Sequence, residues 1–186
     1  SDIDGDNLTF SLDTDASNGT VTLDGALATY TPNQDFNGTD SFTFSVSDGQ
    51  LSATAEVTLT VDGVNDAPVL ASISDVSFNE DSSGSISLSA SDVDGDALTF
   101  SISGGSEIVA SLDGSEVSFS APDNYNGSES FTASVTDGTL SASQIFTVTV
   151  NAVNDAPIAN AASGETSEDQ DTVISLTGSD IDGDNL

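Results

Sequence analysis

The chain has 186 residues, of which 32 are Asp or Glu, and it contains no Lys, Arg or His, so its formal charge at pH 7 is -32. This charge excludes nucleic acid as a partner, because phosphate binding needs Lys or Arg, and an anionic membrane would repel the chain as well. Disulfides are excluded by the absence of Cys, and no internal salt bridge can offset the repulsion between carboxylates.

Cations from solution must therefore balance the charge. Two carboxylates ~5 Å apart repel each other by roughly 3 kcal/mol at an effective dielectric constant of ~20. The chain offers carboxylate, amide, hydroxyl and carbonyl oxygens but no Cys or His ligand, and this set favours Ca²⁺ over zinc, copper or iron. Carboxylate-rich sites of modest affinity suit the millimolar calcium outside cells, which predicts an extracellular location.

The chain opens on an acidic run, Asp-x-Asp-Gly-Asp, that occurs three times. The segments that carry it start at Ser1, Ser91 and Ser179, which lie 90 and 88 residues apart. The Val-Asn-Asp-Ala-Pro segments at Val64 and Val153 repeat at an offset of 89 residues. A period of this length fits one β-sandwich domain of about 100 residues better than a solenoid repeat. The sequence therefore predicts a tandem array of domains.

Short runs within the middle repeat alternate Ser or Thr with Phe, Val, Ile or Leu, as half-buried strands do. Asp-Gly and Asn-Gly pairs lie between the runs and are typical of hairpin turns. The seven predicted strands are 76–78, 85–90, 98–102, 107–112, 116–120, 130–136 and 140–150. The pattern predicts an all-β fold made of tandem seven-stranded immunoglobulin-like β-sandwiches.

The repeats are out of register with the chain. Residues 1–67 are predicted to form a partial repeat that lacks its first strands, 68–156 a complete repeat, and 157–186 the opening strands of a third. The chain is therefore expected to be part of a longer protein with a period of 178 residues, because residues 1–8 and 179–186 are identical. An adjoining copy in the same polypeptide is expected to complete the first sandwich, with strand donation between chains as the alternative.

Each acidic run places three carboxylates within five residues, a spacing that suits a chelating loop. An EF-hand would need Gly at the sixth position and Glu at the twelfth, whereas the run that starts at Asp92 has Ala97 and Ser103 there. A solvated turn is the alternative for an isolated copy, but repetition at a fixed period favours calcium binding. The predicted ligands are Asp2, Asp4, Asp6, Asp92, Asp94, Asp96, Asp180, Asp182 and Asp184.

These loops and the linkers between repeats resemble the cadherin repeat and, more closely, the cadherin-like tandem repeats of giant bacterial surface adhesins. The linker at 62–68 is similar to the family's Asp-x-Asn-Asp-Asn-Ala-Pro, and the segments that end at Asp48 and Asp137 are similar to its Ala-x-Asp. The segment 79–81 is similar to its Pro-Glu-Asn, and 33–35 to its Asp-Arg-Glu. The resemblance implies calcium-binding linkers in which each ion bridges one repeat and the next. It adds the ligands Asp35, Asp48, Asn65, Asp66, Glu80, Asp123, Asp137, Asn154 and Asp155.

The function implied by the resemblance is that of a calcium-rigidified extender in an extracellular bacterial adhesin at the cell surface. Its partners would be neighbouring repeats of the same protein and other cell-surface or matrix components. A structural repeat of an extracellular fibre or sheath, and a glycan-binding module, are the alternatives. An enzyme is disfavoured because the carboxylate pairs recur with the period and no Trp is present to form a sugar platform. No apolar run is long enough for membrane insertion.

Overall fold

The computed structural model describes residues 5–183 and divides the chain into two compact units, Ser1–Asn65 and Asp66–Leu186. Every regular element in the described range is a β-strand, and it contains no helix long and apolar enough to cross a membrane. The all-β prediction is confirmed.

The first unit contains five strands among its described residues. They are β1 (Thr9–Thr14), β2 (Gly19–Asp24), β3 (Leu27–Pro32), β4 (Gly38–Ser47) and β5 (Ser52–Val61). One antiparallel sheet has the order β1-β4-β5, and β2 pairs with β3 as a hairpin. Gly25 and Gly49 adopt positive φ where β2 meets β3 and where β4 meets β5, as the Asp-Gly turns require.

The second unit has a larger set of strands arranged in the same order. They are β6 (Val69–Leu70), β7 (Val76–Asn79), β8 (Ser83–Ser87), β9 (Ala90–Ser91), β10 (Thr99–Gly104), β11 (Val109–Asp113), β12 (Glu116–Ser120), β13 (Gly127–Thr136), β14 (Ser141–Asn151), β15 (Ile158–Asn160) and β16 (Thr177–Ser179). One sheet has the order β10-β13-β14-β7 and another the order β11-β12-β8. Strand β7 joins β14 in parallel, and every other strand pair described is antiparallel.

Strands β1 to β5 correspond to β10 to β14. The order β1-β4-β5 matches β10-β13-β14, and the hairpin β2-β3 matches β11-β12. The second unit adds β7 on the free side of β14 and β8 on the free side of β12. These two added strands distinguish the complete sandwich from the first unit.

Alternation along the strands builds the core of the second unit. In β13, Phe131, Ala133 and Val135 are no more than 1% exposed, while the residues between them are half-buried. The ring of Phe119, from the other sheet, meets that of Phe131 edge-on with 5.2 Å between centroids. Side chains of both sheets thus form one buried cluster that Phe146 completes at 6.0 Å from Phe119.

The seven strands predicted for the middle repeat are all present, with bounds that differ by up to three residues. The pair β6-β9 was not predicted, because two-residue strands are too short to show alternation. In the closing segment, β15 and β16 pair with each other, and residues 161–176 between them contain no strand.

Candidate metal centre

In the acidic loop after β9, backbone N–H groups donate hydrogen bonds to a carboxylate of the same loop. Asp92 Oδ1 accepts the backbone N–H of Asp94 at 2.9 Å and that of Asp96 at 3.3 Å. Gly95 adopts φ +79° within this turn, and a Cβ placed on it would meet no atom within 4 Å. One carboxylate oxygen from each of Asp92, Asp94 and Asp96 consequently lies within 4.8 Å of the other two.

The linker aspartates contact the acidic loops in the same way at both repeats. Within the second unit, Asp66 donates its backbone N–H to Asp94 Oδ2 at 2.7 Å. Asp155 donates its N–H to Asp182 Oδ2 at 2.6 Å, and Asp182 in turn donates to Asp180 Oδ1 at 3.0 Å. At both repeats the structure therefore joins a linker aspartate to an aspartate of an acidic loop, and both residues are predicted ligands.

Glu80 connects the end of β7 to the segment that leads into this second loop. It is only 5% exposed, and its Oε1 accepts the backbone N–H of Val153. Its own N–H donates to Asn151 O at 2.9 Å. A buried carboxylate is thereby held against the residues that precede Asp155.

Asp155 is buried and experiences the charge of several other carboxylates. Burial raises its pKa above the ordinary value, and the negative charges of Asp182, Asp81, Glu80 and Asp180 raise the pKa further. Its Oδ2 is buried and accepts no hydrogen bond. We call these five residues the Asp155 cluster; it gathers carboxylates from the sandwich and from the closing segment.

An open cavity of about 480 Å³ adjoins the cluster. Its walls are Asn124, Asp155, Ala156, Ile158, Ser179, Asp180 and Ile181. Asn124 donates its backbone N–H to Asp81 Oδ1 at 3.0 Å, which links the loop after β12 to the turn after β7.

Asp81 and Asn124 were not among the ligands predicted from sequence. Both adopt positive φ, +59° and +56°, as does Asp35 at +58°. Asn124 follows Asp35 by 89 residues, the offset of the repeat, so the period would have identified it in preference to Asp123, which does not line the cavity.

The remaining predicted ligands have other surroundings. Asp137 and Asp48 accept backbone N–H groups of the turns that follow β13 and β4, so their carboxylates also close those turns. Asn154 donates its side-chain amide to the carbonyl of Asp155 at 2.8 Å. Asp6, Asp35 and Asn65 belong to the first unit, whereas Asp2, Asp4 and Asp184 lie outside the described residues.

The donor set fits a hard cation. Asp92 Oδ2, like Asp155 Oδ2, is buried without a hydrogen-bond donor, which is costly for a charged oxygen unless a cation compensates it. The chain has no Lys, Arg or His that could supply this compensation. Calcium prefers six to eight oxygen ligands, and the carboxylates of the Asp155 cluster supply oxygens of that type.

Comparison with known proteins places these sites in a wider context. The bacterial Ig domain family matches residues 1–60 and 65–151. Chitinase A of Pseudoalteromonas piscicida is 32% identical over 158 residues, which are 81% of this chain and 19% of that protein.

Two solved structures show further likeness. An endo-fucoidan hydrolase of glycoside hydrolase family 107 is 28% identical, with 81% of this chain and 24% of that one covered and a TM-score of 0.38. The first two extracellular repeats of human protocadherin-24 are 17% identical, with 82% and 85% covered and a TM-score of 0.53. The chain thus spans about a fifth to a quarter of the length of the two hydrolases, and it shares the cadherin-like fold.

Proposed function

Since the chain belongs to the bacterial Ig domain family, we propose that it is an extracellular structural repeat whose sandwich is fixed to the following segment by calcium. The observation that carries this proposal is the Asp155 cluster, where a buried, unpartnered carboxylate oxygen experiences the negative charge of four other carboxylates. Such a cluster is repulsive by itself and becomes cohesive when a divalent cation binds.

A bound calcium ion would take its ligands from two parts of the second unit, the sandwich and the closing segment. Glu80 and Asp81 follow β7 of the sandwich, and Asp180 and Asp182 follow β16 in the closing segment. Asp155 lies between them and contacts Asp182 through its backbone N–H. An ion held by both sides would resist bending of the segment, and its removal would leave like charges that push the two sides apart. The proposed role of calcium is therefore mechanical.

Calcium binding can be tested on the intact chain. Ions that bind only the folded state stabilise it by mass action, so the melting temperature should rise with calcium concentration. Magnesium should substitute poorly at equal ionic strength, because it needs a small octahedral shell and retains its water. Equal melting temperatures in calcium and in chelator would refute the proposal.

A charge-neutral variant locates the site. Asp155→Asn removes one ligand charge and should weaken calcium binding about tenfold or more, measured by isothermal titration. Asp113→Asn is the matched control, because it removes the same charge from an exposed turn of the same unit. If both variants bound calcium like the parent chain, the cluster would not be the site.

Within this role, an extender of a surface adhesin is the finer proposal, and a repeat of an extracellular fibre or sheath is its alternative. Both need the same stiff domains in series. Electron microscopy of the intact appendage distinguishes them, since an extender ends in an adhesive tip and a fibre consists of repeats along its whole length.

The 32% sequence identity to part of a chitinase supports a second candidate function, that of a spacer module in a secreted polysaccharide-degrading enzyme. The chain itself carries no Trp and only two Tyr, so it lacks the aromatic platforms that hold sugars. A chitin pull-down with the isolated chain should therefore retain none of it, and retention would favour a glycan-binding module instead.

A further inference from the structure

The first unit has an open sheet edge at the position where the second unit has an additional strand. Strand β12 pairs with β11 on one side and with β8 on the other. Its counterpart β3 pairs with β2 and, among the described residues, with no other strand. The backbone groups along the outer side of β3 therefore form an edge that can accept a further strand.

An apolar cleft lies beside this edge. It measures about 170 Å³, and its lining includes Phe10, Leu23, Ala28, Phe42, Phe44 and Val57. Only Val21 and Phe42 are buried hydrophobic residues in the described part of the first unit, whereas the second unit has a buried cluster of ten. The core of the first unit is thus left partly uncovered.

In the second unit, β8 and the residue after it supply that cover. Ile86 packs against the core cluster, and Leu88 belongs to it at 4% exposure. Leu88 also donates its N–H to Ser115 O at 2.8 Å, which fixes the end of the strand. A strand that covered the first unit would need apolar side chains two residues apart in the same way.

The closing segment contains a stretch with this spacing of apolar side chains that forms no strand. Residues 171–176 follow 83–88 by 88 residues, the offset that also relates Ser91 to Ser179, so Ile174 and Leu176 stand where Ile86 and Leu88 do. No strand forms over this stretch, and Ile174 and Leu176 are 44% and 81% exposed.

We propose that residues 171–176 of a second copy of this chain add to β3 as an antiparallel strand and insert Ile174 and Leu176 into the cleft. The register follows from the β8-β12 pair, in which Ser85 lies opposite Ser118. The same register places Val173 of one copy opposite Thr29 of the other. The contact is identical for separate chains and for consecutive repeats of one polypeptide.

The proposed contact is directional. Each copy carries one acceptor edge and one donor segment, so the association is head-to-tail and extends into an open series. Each copy also carries a formal charge of -32, which opposes the approach of two chains. Association should therefore strengthen as salt shortens the screening length to about 8 Å at physiological ionic strength.

Cysteine cross-linking tests the register, and the absence of native Cys makes every introduced thiol unique. Thr29→Cys and Val173→Cys chains are mixed at equal concentration and oxidised, in calcium and in chelator alike. The paired positions would lie about 4.5–5.5 Å apart between Cα atoms, inside the range that a disulfide spans. The expected product is a disulfide-linked dimer that contains one chain of each variant.

The matched control is Thr22→Cys. Thr22 lies opposite Thr29 on β2, so it would be one strand further from the donor, about 10 Å away and beyond disulfide reach. Leu176→Asp in the donor chain should abolish the dimer. Residue 176 is exposed and lies outside the strands, so the melting temperature of the second unit should not change.

Four outcomes would overturn the inference. They are equal cross-linking of Val173→Cys with both partner positions, no dimer at millimolar protein in physiological salt, an undiminished dimer with Leu176→Asp, and an intramolecular disulfide in the double variant at high dilution. None depends on calcium binding, so failure here would leave the proposed function standing.

Discussion

At the scale of single residues, one carboxylate in each unit holds the loop that precedes a hairpin. In the second unit, Glu129 accepts the backbone N–H groups of Ser106, Glu107 and Ile108 and the hydroxyl of Ser106, at 2.6–3.1 Å. These hydrogen bonds lower the pKa of Glu129 from 4.5 to about 2, with the side chain of Ser106 contributing most. The carboxylate therefore stabilises the fold in its ionised form.

Asp40 occupies the equivalent position in the first unit, 89 residues earlier. It is 5% exposed and accepts the N–H groups of Ser17, Asn18 and Ser41 and the hydroxyl of Tyr30. Burial opposes its ionisation, but these hydrogen bonds outweigh burial and lower its pKa. Both units thus use a carboxylate at the start of a long strand to organise a distant loop.

We expect Glu129→Gln to lower the free energy of unfolding of the second unit by about 2 kcal/mol at neutral pH, because Gln keeps only one acceptor oxygen and faces N–H donors. The contribution of Glu129 is fully present above pH 4.5, its ordinary value, and is lost as pH falls towards 2, its folded-state value. The free energy of unfolding should therefore fall less steeply in the variant as the pH is lowered from 4.5 to 2.

The control for this prediction is Glu107→Gln, which removes an equal charge from an exposed neighbour. Urea denaturation at several pH values measures both variants. The interpretation of Glu129 would be wrong if the two variants lost the same stability or kept the same acid dependence.

Residue-level chemistry was only partly predictable from the sequence. The acidic loops were recognisable because three carboxylates share five residues and recur with the period. Glu129 and Asp40 were not, since each is one polar residue in an alternating strand and its hydrogen-bond partners are about twenty residues away. Only the pairing of strands brings such partners together.

At the scale of elements, the turns between long strands explain why some aspartates recur. Asp137 Oδ1 accepts the N–H groups of Thr139 and Leu140, both at 2.6 Å, and so closes the turn between β13 and β14. Asp48 does the same for Gln50 and Leu51, whose N–H groups lower its pKa. The turn contacts therefore give these aspartates a structural reason to recur, apart from any role in binding a metal.

Two substitutions at Asp137 separate these roles. Asp137→Asn keeps an acceptor oxygen and should preserve stability in chelator, whereas Asp137→Ala loses the turn contacts and should cost about 1 kcal/mol. If Asp137 is also a calcium ligand, as its motif implies, Asp137→Asn should weaken calcium binding in a titration. Unchanged calcium affinity in the Asn variant would leave Asp137 a purely structural residue.

Element prediction succeeded for strands long enough to show alternation and missed the two-residue strands β6 and β9. Alternation predicted β10 to β14 because both faces of those strands have defined surroundings in the sandwich. The closing segment was expected to supply opening strands, and β15 and β16 form there as the counterparts of β6 and β9, whereas the counterparts of β7 and β8 do not form. A strand pattern is realised only when an edge and an apolar surface are available to it.

At the scale of the whole molecule, the two units differ in how much core they bury. Phe131, Ala133 and Val148 of the second unit are at most 1% exposed. At the equivalent positions of the first unit, Phe42 is 4% exposed, while Phe44 and Leu59 are half-buried. The same strand order therefore yields two units with unequally buried cores.

We expect the first unit to open before the second in dilute solution. Each fully buried side chain contributes about 1.5–3 kcal/mol, so several fewer of them should lower the stability of the first unit by several kcal/mol. Hydrogen exchange should show less protection in β4 than in β13, its counterpart.

Trypsin cannot report this opening because the chain has no Lys or Arg, but a protease that cleaves after Phe or Leu should cut first within residues 10–59. Raising the protein concentration should protect β3 and β4 selectively if a second copy covers the cleft, and equal protection of both units at every concentration would contradict the difference in their cores.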